Sequence, residues 1–446
     1  MEKKCDVVVI GAGIGGLCAG ARLASKGLKT VILEQLSITG GRFTTFVYKG
    51  FKIPGGAWCT PFGNTGPIGK TIKEVGGKEV EYKYPMPFHA YKIRGEEYGM
   101  PERGMIPKLI SLAAEDKKEE ERVVNAITRA VKWQEPPDSI SFRDWLLQYT
   151  ENELIHNIFR ALIGMQQGLP PSEEPAGVFI RLMRLLSRRE LPRDDPRWIG
   201  TTGLSENGCK DVIDSLENAF LEKKGELMLK TKANEIVVED GVAKGVIAER
   251  EGERVEIEAK FVISDTAPRK TVDLAGKKNF ERGYLRELRE KLRPAVGTNF
   301  FFSTKKPLIK LPVAFMMTPD ASRLSFVSDL SLTWPSYSPE GMHTLYGMTV
   351  PASTLMFDLK KEIELGIEDF KNNFPDLEKY GELLLVQNFH RDWPIFHSWP
   401  GCDLPQKTPI ENLYNVGDGV KPPEYFAAEA VADSARVVVE DILSRI

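Results

Sequence analysis

The sequence of 446 residues predicts an α/β fold, with a parallel sheet at its centre and a second region of mixed α+β character. Three observations predict it. Cys5 to Ile10 is a short β-branched run that enters Gly11-Ala12-Gly13-Ile14-Gly15-Gly16 without a break. Leu17, Ala21 and Ala24 then recur at helical spacing up to Lys26, and Gly27 ends the helix. Thr30 to Leu33 is a second apolar run, with Glu34 at its C-terminal end. Strand, glycine turn, helix and strand in this order make a βαβ unit, because parallel strands buried on both faces read as continuous apolar runs. The chain is longer than one hydrophobic core organises, so at least two domains are expected.

Each part of the unit has a physical reason. Gly11 permits the tight turn out of the strand, Gly13 lets the backbone approach a pyrophosphate, and Gly16 lets the helix pack close to the sheet. The helix N-terminus offers free N–H groups and the positive end of its dipole to phosphate. Glu34 stands where a carboxylate accepts hydrogen bonds from both ribose hydroxyls. It would repel a 2′-phosphate, which disfavours NADP. A Rossmann-like dinucleotide site is therefore expected.

Residues further along specify the dinucleotide. Thr39-Gly40-Gly41-Arg42 follows Glu34 closely, Gly50-Phe51-Lys52-Ile53-Pro54-Gly55-Gly56-Ala57 comes next, and Asn412-Leu413-Tyr414-Asn415-Val416-Gly417-Asp418-Gly419 stands near the C-terminus. Val262-Ile263-Ser264-Asp265-Thr266-Ala267-Pro268 adds a further strand end. This constellation resembles the FAD-binding pattern of the flavin amine oxidase and phytoene desaturase superfamily. The resemblance implies a discontinuous, glutathione reductase-like FAD-binding domain with non-covalent FAD. It implies contacts from Gly11, Gly13, Gly15, Gly16, Glu34, Gly41, Arg42, Gly56, Ala57, Ala233, Gly417, Asp418, Phe426 and Ala427. Arg42 would lie along the pyrophosphate, Asp418 would bond the ribityl and pyrophosphate region, and the backbone near Ala233 would meet the adenine. A guanidinium suits phosphate oxygens and a carboxylate accepts from hydroxyls. Free N–H groups where the last helix starts, near Phe426 and Ala427, would stabilise negative charge at N1 and O2 of reduced flavin. Two positions depart from the pattern. Pro54 replaces an acid common in relatives, and Glu429 stands near a usual glycine in a bulkier loop.

The chain is expected to divide discontinuously. Residues 1–75, 205–270 and 385–446 form the FAD-binding domain, and 76–204 with 271–384 form a substrate domain. Helices are expected over Lys108 to Val131, Ser141 to Met165, Gly208 to Phe220, Tyr284 to Lys291, Leu359 to Phe370 and Ala427 to Ile446. A strand meander is expected from Lys230 to Ser264, with turns at Asp240-Gly241 and Glu251-Gly252. Further strands are expected over Thr298 to Ser303, Ser325 to Leu330 and His343 to Val350. Ala176 to Arg189 reads as a basic amphipathic helix, with Phe179, Leu182, Met183 and Leu186 on one face and Arg181, Arg184 and Arg188 on another. It is a domain helix with a solvated arginine face, or a helix resting on a membrane surface.

Composition excludes several classes. A net charge of −3 argues against nucleic acid as the partner. The 5 cysteines form no CxxC pair, so neither a zinc ribbon nor a disulfide framework is suggested, and a reducing, cytoplasmic setting follows. No signal peptide and no bilayer-length apolar run are read. The 5 histidines show no metal-ligand spacing, so no metal is expected. His390 is a candidate proton acceptor. Trp58, Trp393 and Tyr425 are candidate substrate-wall aromatics. Cys402 is the one candidate for a covalent flavin link, in a segment that fits such a link poorly. No second GxGxxG follows a strand, so either the substrate itself supplies electrons or reduced cofactor arrives by a less obvious route.

Phe300-Phe301-Phe302, Phe315-Met316-Met317, Trp334, Met356-Phe357 and Trp393 point to an apolar substrate. The resemblance then implies an FAD-dependent oxidoreductase of the phytoene desaturase-like branch, moving a hydride from an isoprenoid or polyene to flavin N5. An amine oxidase, a redox-neutral carotenoid-type isomerase and a non-catalytic prenyl-binding protein are the alternatives. The intact Glu34, Arg42 and Asp418 set argues against the last.

Overall fold

A computed structural model describes residues 2–85, 87–101, 103–188, 202–390, 398–399 and 401–446. The chain opens with β1 (Glu2–Ile10), α1 (Ile14–Ser25), β2 (Thr30–Leu33), the hairpin β3 (Thr45–Tyr48) and β4 (Phe51–Pro54), and α2 (Pro67–Val75). It continues through β5 (His89–Ile93), β6 (Glu96–Gly99), α3 (Met105–Ala113), α4 (Lys117–Lys132), α5 (Phe142–Leu147), α6 (Glu153–Gln167) and α7 (Ala176–Ser187). Then come α8 (Cys209–Glu222), β7 (Glu226–Met228), β8 (Thr231–Glu239), β9 (Val242–Arg250), β10 (Glu253–Ser264), α9 (Pro268–Ala275) and α10 (Arg282–Lys291). The last part holds β11 (Gly297–Thr304), β12 (Phe315–Met317), β13 (Leu324–Asp329), α11 (Leu330–Thr333), β14 (His343–Thr349), α12 (Leu359–Asn373), α13 (Leu377–Tyr380), β15 (Gly381–Phe389), β16 (Leu413–Asn415) and α14 (Ala427–Leu443).

The first sheet has the order β7-β2-β1-β10-β9-β8, with β16 also on β10. β7, β2, β1, β10 and β16 run parallel to their neighbours, and β9 and β8 are antiparallel. Alternation along β1 decides what covers each face. Val7 and Val9 pack with α1, α2, α8 and α14. Val8 and Ile10 pack with Ile236 and Val246 of the meander and with Val272 and Leu288 of α9 and α10. The second sheet, β15-β11-β14-β13-β12-β5-β6, carries α3 to α7 on one face and α12 and α13 on the other.

These layers move the expected boundaries. The core under the first sheet takes in Phe280, Leu288 and Leu292, so the chain stays with that layer well beyond residue 271. β15 pairs with β11, so the return comes after Phe389 rather than at 385. Two expected helices are each broken by a cap. Asp116 accepts from Glu119 N at 2.8 Å and starts α4, and Asn152 accepts from Leu154 N at 3.0 Å and starts α6. On α7, Phe179 and Leu182 are buried. Two of its arginines are paired: Arg181 bridges Glu135 and Asp138 at 2.5 and 2.8 Å, and Arg184 reaches Glu135 at 2.9 Å, while Arg188 is exposed. Arg189, at the end of that expected segment, lies outside the described residues, as do Trp393 and His397. Among the described residues no helix is long and apolar enough to cross a membrane.

Candidate active site

The carboxyl ends of β1, β2, β10 and β16 open into a cavity of ≈ 1190 Å³, lined there by Ile10, Leu33, Asp265 and Val416. Open α/β sheets bind ligands at this edge. The volume exceeds the usual range for one small ligand, about 300–1,000 Å³, and leaves room for a dinucleotide and a second molecule. The cavity runs on to the aromatic face of the second sheet, at Phe315, Phe326 and Tyr346.

The glycine turn has the geometry its sequence demands. Gly11 has φ +100° and donates to Leu33 O at 2.7 Å. A Cβ on Gly16 would lie 2.0 Å from Gly11 O, so only glycine lets α1 approach the strand end. Gly11 and Gly13 line the cavity. Gly15 and Gly16 do not line it; a Cβ on Gly15 would meet the Asp265 carboxyl and one on Gly16 would meet Gly11 O. Glu34 is buried and also lines the cavity. Its Oε2 accepts from Ala12 N at 2.9 Å and its Oε1 from Leu36 N at 2.8 Å. Each oxygen keeps acceptor capacity for a ribose hydroxyl.

Gly41, Arg42, Gly56, Ala57, Ala233, Gly417, Asp418, Phe426 and Ala427 all line the same cavity. Arg42 Nη2 lies 2.5 Å from Asp418 Oδ2, so the guanidinium and carboxylate meet each other as well as the cavity. Lys421 approaches from behind, 3.1 Å from Asp418 Oδ1 and 3.0 Å from Asp403 Oδ1. Burial alone would lower the Lys421 ammonium, but Asp403 and Asp418 more than offset this and raise it. Ser434 of α14 fixes the adjacent turn by accepting from Gly417 N at 3.0 Å. Ala427, the first residue of α14, has φ +48°.

Glu429 points away from this space. Its Oε2 accepts from Ile68 N at 2.9 Å, in the first turn of α2. Gly66 makes room for it, since a Cβ there would lie 2.6 Å from the carboxylate. Burial pushes the Glu429 carboxyl well above the usual range, against the pull of the Ile68 N–H.

Several sequence candidates fall elsewhere. His390 Nδ1–H donates to Asn388 Oδ1 at 2.7 Å and the ring lies 5.2 Å from that of Phe357, off the cavity. Tyr425 packs on Phe62 at 6.1 Å and does not line the cavity either. Cys402 is off the cavity, so the structure gives it no place in a covalent link. Strand alternation removes much of the expected aromatic wall. Phe300 and Phe302 face Phe370 of α12, Met316 lies on that same side, and Met317 is buried without reaching the cavity. Phe301 stacks behind Tyr346 at 4.8 Å. Trp334 donates to Leu204 O at 2.8 Å, and Met356 is exposed.

The wall that does form comprises Trp58, Phe88, Phe315, Phe326, Tyr346 and Met348. Trp58 is its hub, with ring centroids 4.9 Å from Phe315, 6.3 Å from Phe326 and 5.8 Å from Tyr346. His89 joins it by register, since β5 pairs with β12 and sets His89 opposite Phe315. Sequence reasoning quoted Asp265 only as part of a strand end, without a role, and passed over Lys421 and most of this wall. The period-2 pattern of β13 and β14 was the available signal for Phe326, Tyr346 and Met348.

The model of the flavin containing amine oxidoreductase family matches residues 14–443. The chain belongs to that family. The flavin amine oxidoreductase has FAD as its cofactor, bound non-covalently. It is 28% identical over 437 residues to an uncharacterized protein of Methanocaldococcus jannaschii, covering 98% of this chain and 99% of the other. It is 24% identical over 481 residues to the 15-cis-phytoene desaturase of Solanum lycopersicum, covering 99% of this chain and 78% of that one. Among solved structures, an oxidoreductase from Methanosarcina mazei superposes with a TM-score of 0.84 at 27% identity, covering 99% of this chain and 100% of the other. The residues present fit FAD: glycine N–H groups and Arg42 suit a pyrophosphate, Glu34 suits a ribose, and the Ala57 and Phe426 end is wide enough for a ring system.

Proposed function

We propose that this flavin-dependent oxidoreductase oxidises an apolar substrate of the isoprenoid or polyene class, by desaturation. Bound FAD would supply the two-electron acceptor for the hydride of one C–H bond, and the proton lost from the neighbouring carbon would leave through the cavity mouth to solvent, so that a C=C bond replaces two C–H bonds. Gly11, Gly13, Glu34, Arg42 and Asp418 would hold its adenosine and pyrophosphate portions, and Ala57, Phe426 and Ala427 would flank its ring. Trp58, Phe88, Phe315, Phe326, Tyr346 and Met348 would hold the substrate and exclude water from the hydride step.

The observation that carries this reading is the distribution of charge along the cavity. Its carboxylates, Glu34, Asp265, Asp273 and Asp418, all stand at the dinucleotide end. Among the described residues the aromatic end has none, so nothing there would neutralise an ammonium group. Anaerobic mixing of the holoprotein with candidate substrates tests the proposal. Isoprenoid or polyene lipids should bleach the flavin. Bleaching by small amines and not by lipids would make it an amine oxidase. A polyene that changes geometry only when the flavin is already reduced would make it an isomerase.

A further inference from the structure

Asp265 occupies a position that the dinucleotide motif does not explain. It follows β10 directly, and its N–H donates to Ile10 O at 2.8 Å, which sets it against the end of β1. Its Oδ2 accepts from Gly16 N at 2.9 Å, in the first turn of α1. A Cβ on Gly13, Gly15 or Gly417 would fall 2.5, 2.6 or 2.5 Å from the same carboxyl. The group is therefore wedged between the two glycine turns that face the pyrophosphate, and its open side is the cavity.

The charges around it are unbalanced. Glu34 faces it from the end of β2 and Asp418 from the turn after β16, while Arg42 is the cation on that side and is engaged by Asp418. Lys421 lies behind Asp418, bridged to Asp403. Val431 of α14 presents only methyl groups to Gly15. The acids of α14 turn elsewhere, Glu429 to Ile68 N and Asp433 to Arg436 Nε at 2.7 Å. On its own element, Arg269 donates to Leu292 O at 2.7 Å, and Lys270 and Asp273 stand further along the cavity. An ionised Asp265 would be a third carboxylate beside a bound pyrophosphate.

We propose that Asp265 is a cofactor-contacting residue that engages FAD in its neutral form, so that binding FAD at alkaline pH takes up a proton. This rests on the flavin of the family and not on the substrate class. Desolvation between the two turns raises the carboxyl to about 8 although its open side meets the cavity, with Asp418 and Glu34 adding to the rise and the Gly16 N–H and Arg42 opposing it. Below that value the group is already protonated and FAD affinity is flat. Above it, each pH unit weakens binding by about tenfold, because a proton must be recovered first.

The test is equilibrium dialysis of the holoprotein against FAD from pH 6 to pH 9.5, for the wild type and Asp265→Asn. The wild-type affinity should fall above about pH 8, and that of Asp265→Asn should stay flat and exceed the wild type at pH 9. Parallel falls in both proteins would overturn the proposal. So would a folded Asp265→Asn that loses FAD at every pH. Calorimetry of the wild type in two buffers of different ionisation enthalpy keeps the question open to decision where the variant fails to fold. About one proton should enter per FAD at pH 9, and none entering would overturn it.

Discussion

The guanidinium of Arg42 and the carboxylate of Asp418 meet at 2.5 Å across 376 residues of sequence. The pair closes one side of the cavity and ties the segment after β2 to the turn after β16. Removing the acid leaves Arg42, which is part-buried, without this carboxylate, while Lys421 keeps Asp403. Asp418→Ala should therefore weaken FAD binding by at least tenfold, and it should lower stability by about 1–3 kcal/mol. Flavin fluorescence titration and urea denaturation report the two effects, and an unchanged FAD affinity would remove Asp418 from the cofactor site.

Glu34 carries a double load. A ribose-binding carboxylate contributes about 1.5–3 kcal/mol per charge-assisted hydrogen bond, so Glu34→Ala should cost tenfold or more in FAD affinity. The same carboxylate also accepts from Ala12 N and Leu36 N. The alanine variant should thus lose stability even without cofactor, by about 1–3 kcal/mol. Thermal denaturation of FAD-stripped protein separates the structural share, which the sequence alone does not reveal.

Gly16→Ala puts a methyl group 2.0 Å from Gly11 O. Neither partner is a flexible side chain, so α1 must shift away from β1. Overpacking of this kind costs about 1–3 kcal/mol, and more where backbone has to move. Urea denaturation should show this loss, whereas Gly283→Ala, at a helical position of α10 with nothing within 4 Å of the added carbon, should lose none. Equal losses at the two sites would mean that the close approach is not what selects glycine.

Glu429 gives a pH signature. Its carboxyl is raised by burial, so it stays neutral in the fold while the unfolded chain ionises. A raised acid contributes stability that is full below the ordinary glutamate range and is lost as pH rises toward the folded value. Glu429→Gln should then raise the melting temperature at pH 8, by about 2 °C for each kcal/mol relieved, and should give no gain at pH 4. The same gain at both pH values would show that the carboxyl is not held neutral.

What could be read in the sequence was local. The turn at Gly11, the helix after it and Glu34 follow from residues within one βαβ unit, and their spacing sets their positions. The caps at Asp116 and Asn152 are local as well, yet the apolar spacing on either side of each carried the expected helix straight through it. The role of Asp265 was not legible, since a strand-end aspartate acquires its surroundings only when β10 lies beside β1. Phe300 and Phe302 look like Phe315 in sequence. Which of them faces the cavity depends on which side of the second sheet takes α12, and no local pattern encodes that. Lys421 is charged and followed by two prolines, which reads as surface. Its burial follows from Asp403 and Asp418 converging on it, a relation that only the folded chain displays.

The order of the strands in the first sheet has a consequence for how the chain is made. β1 and β10 lie side by side, yet Cys5 and Glu258 are 253 residues apart. During synthesis β1 gains β2 almost at once, but its other edge waits for more than half the chain to emerge. Val7 to Ile10 is an uncharged, β-branched run of the kind that pairs with the wrong neighbour. Such long-range pairings form slowly, so the nascent strand keeps one edge open until β10 has emerged, and a chaperone that covers that edge would reduce losses to aggregation.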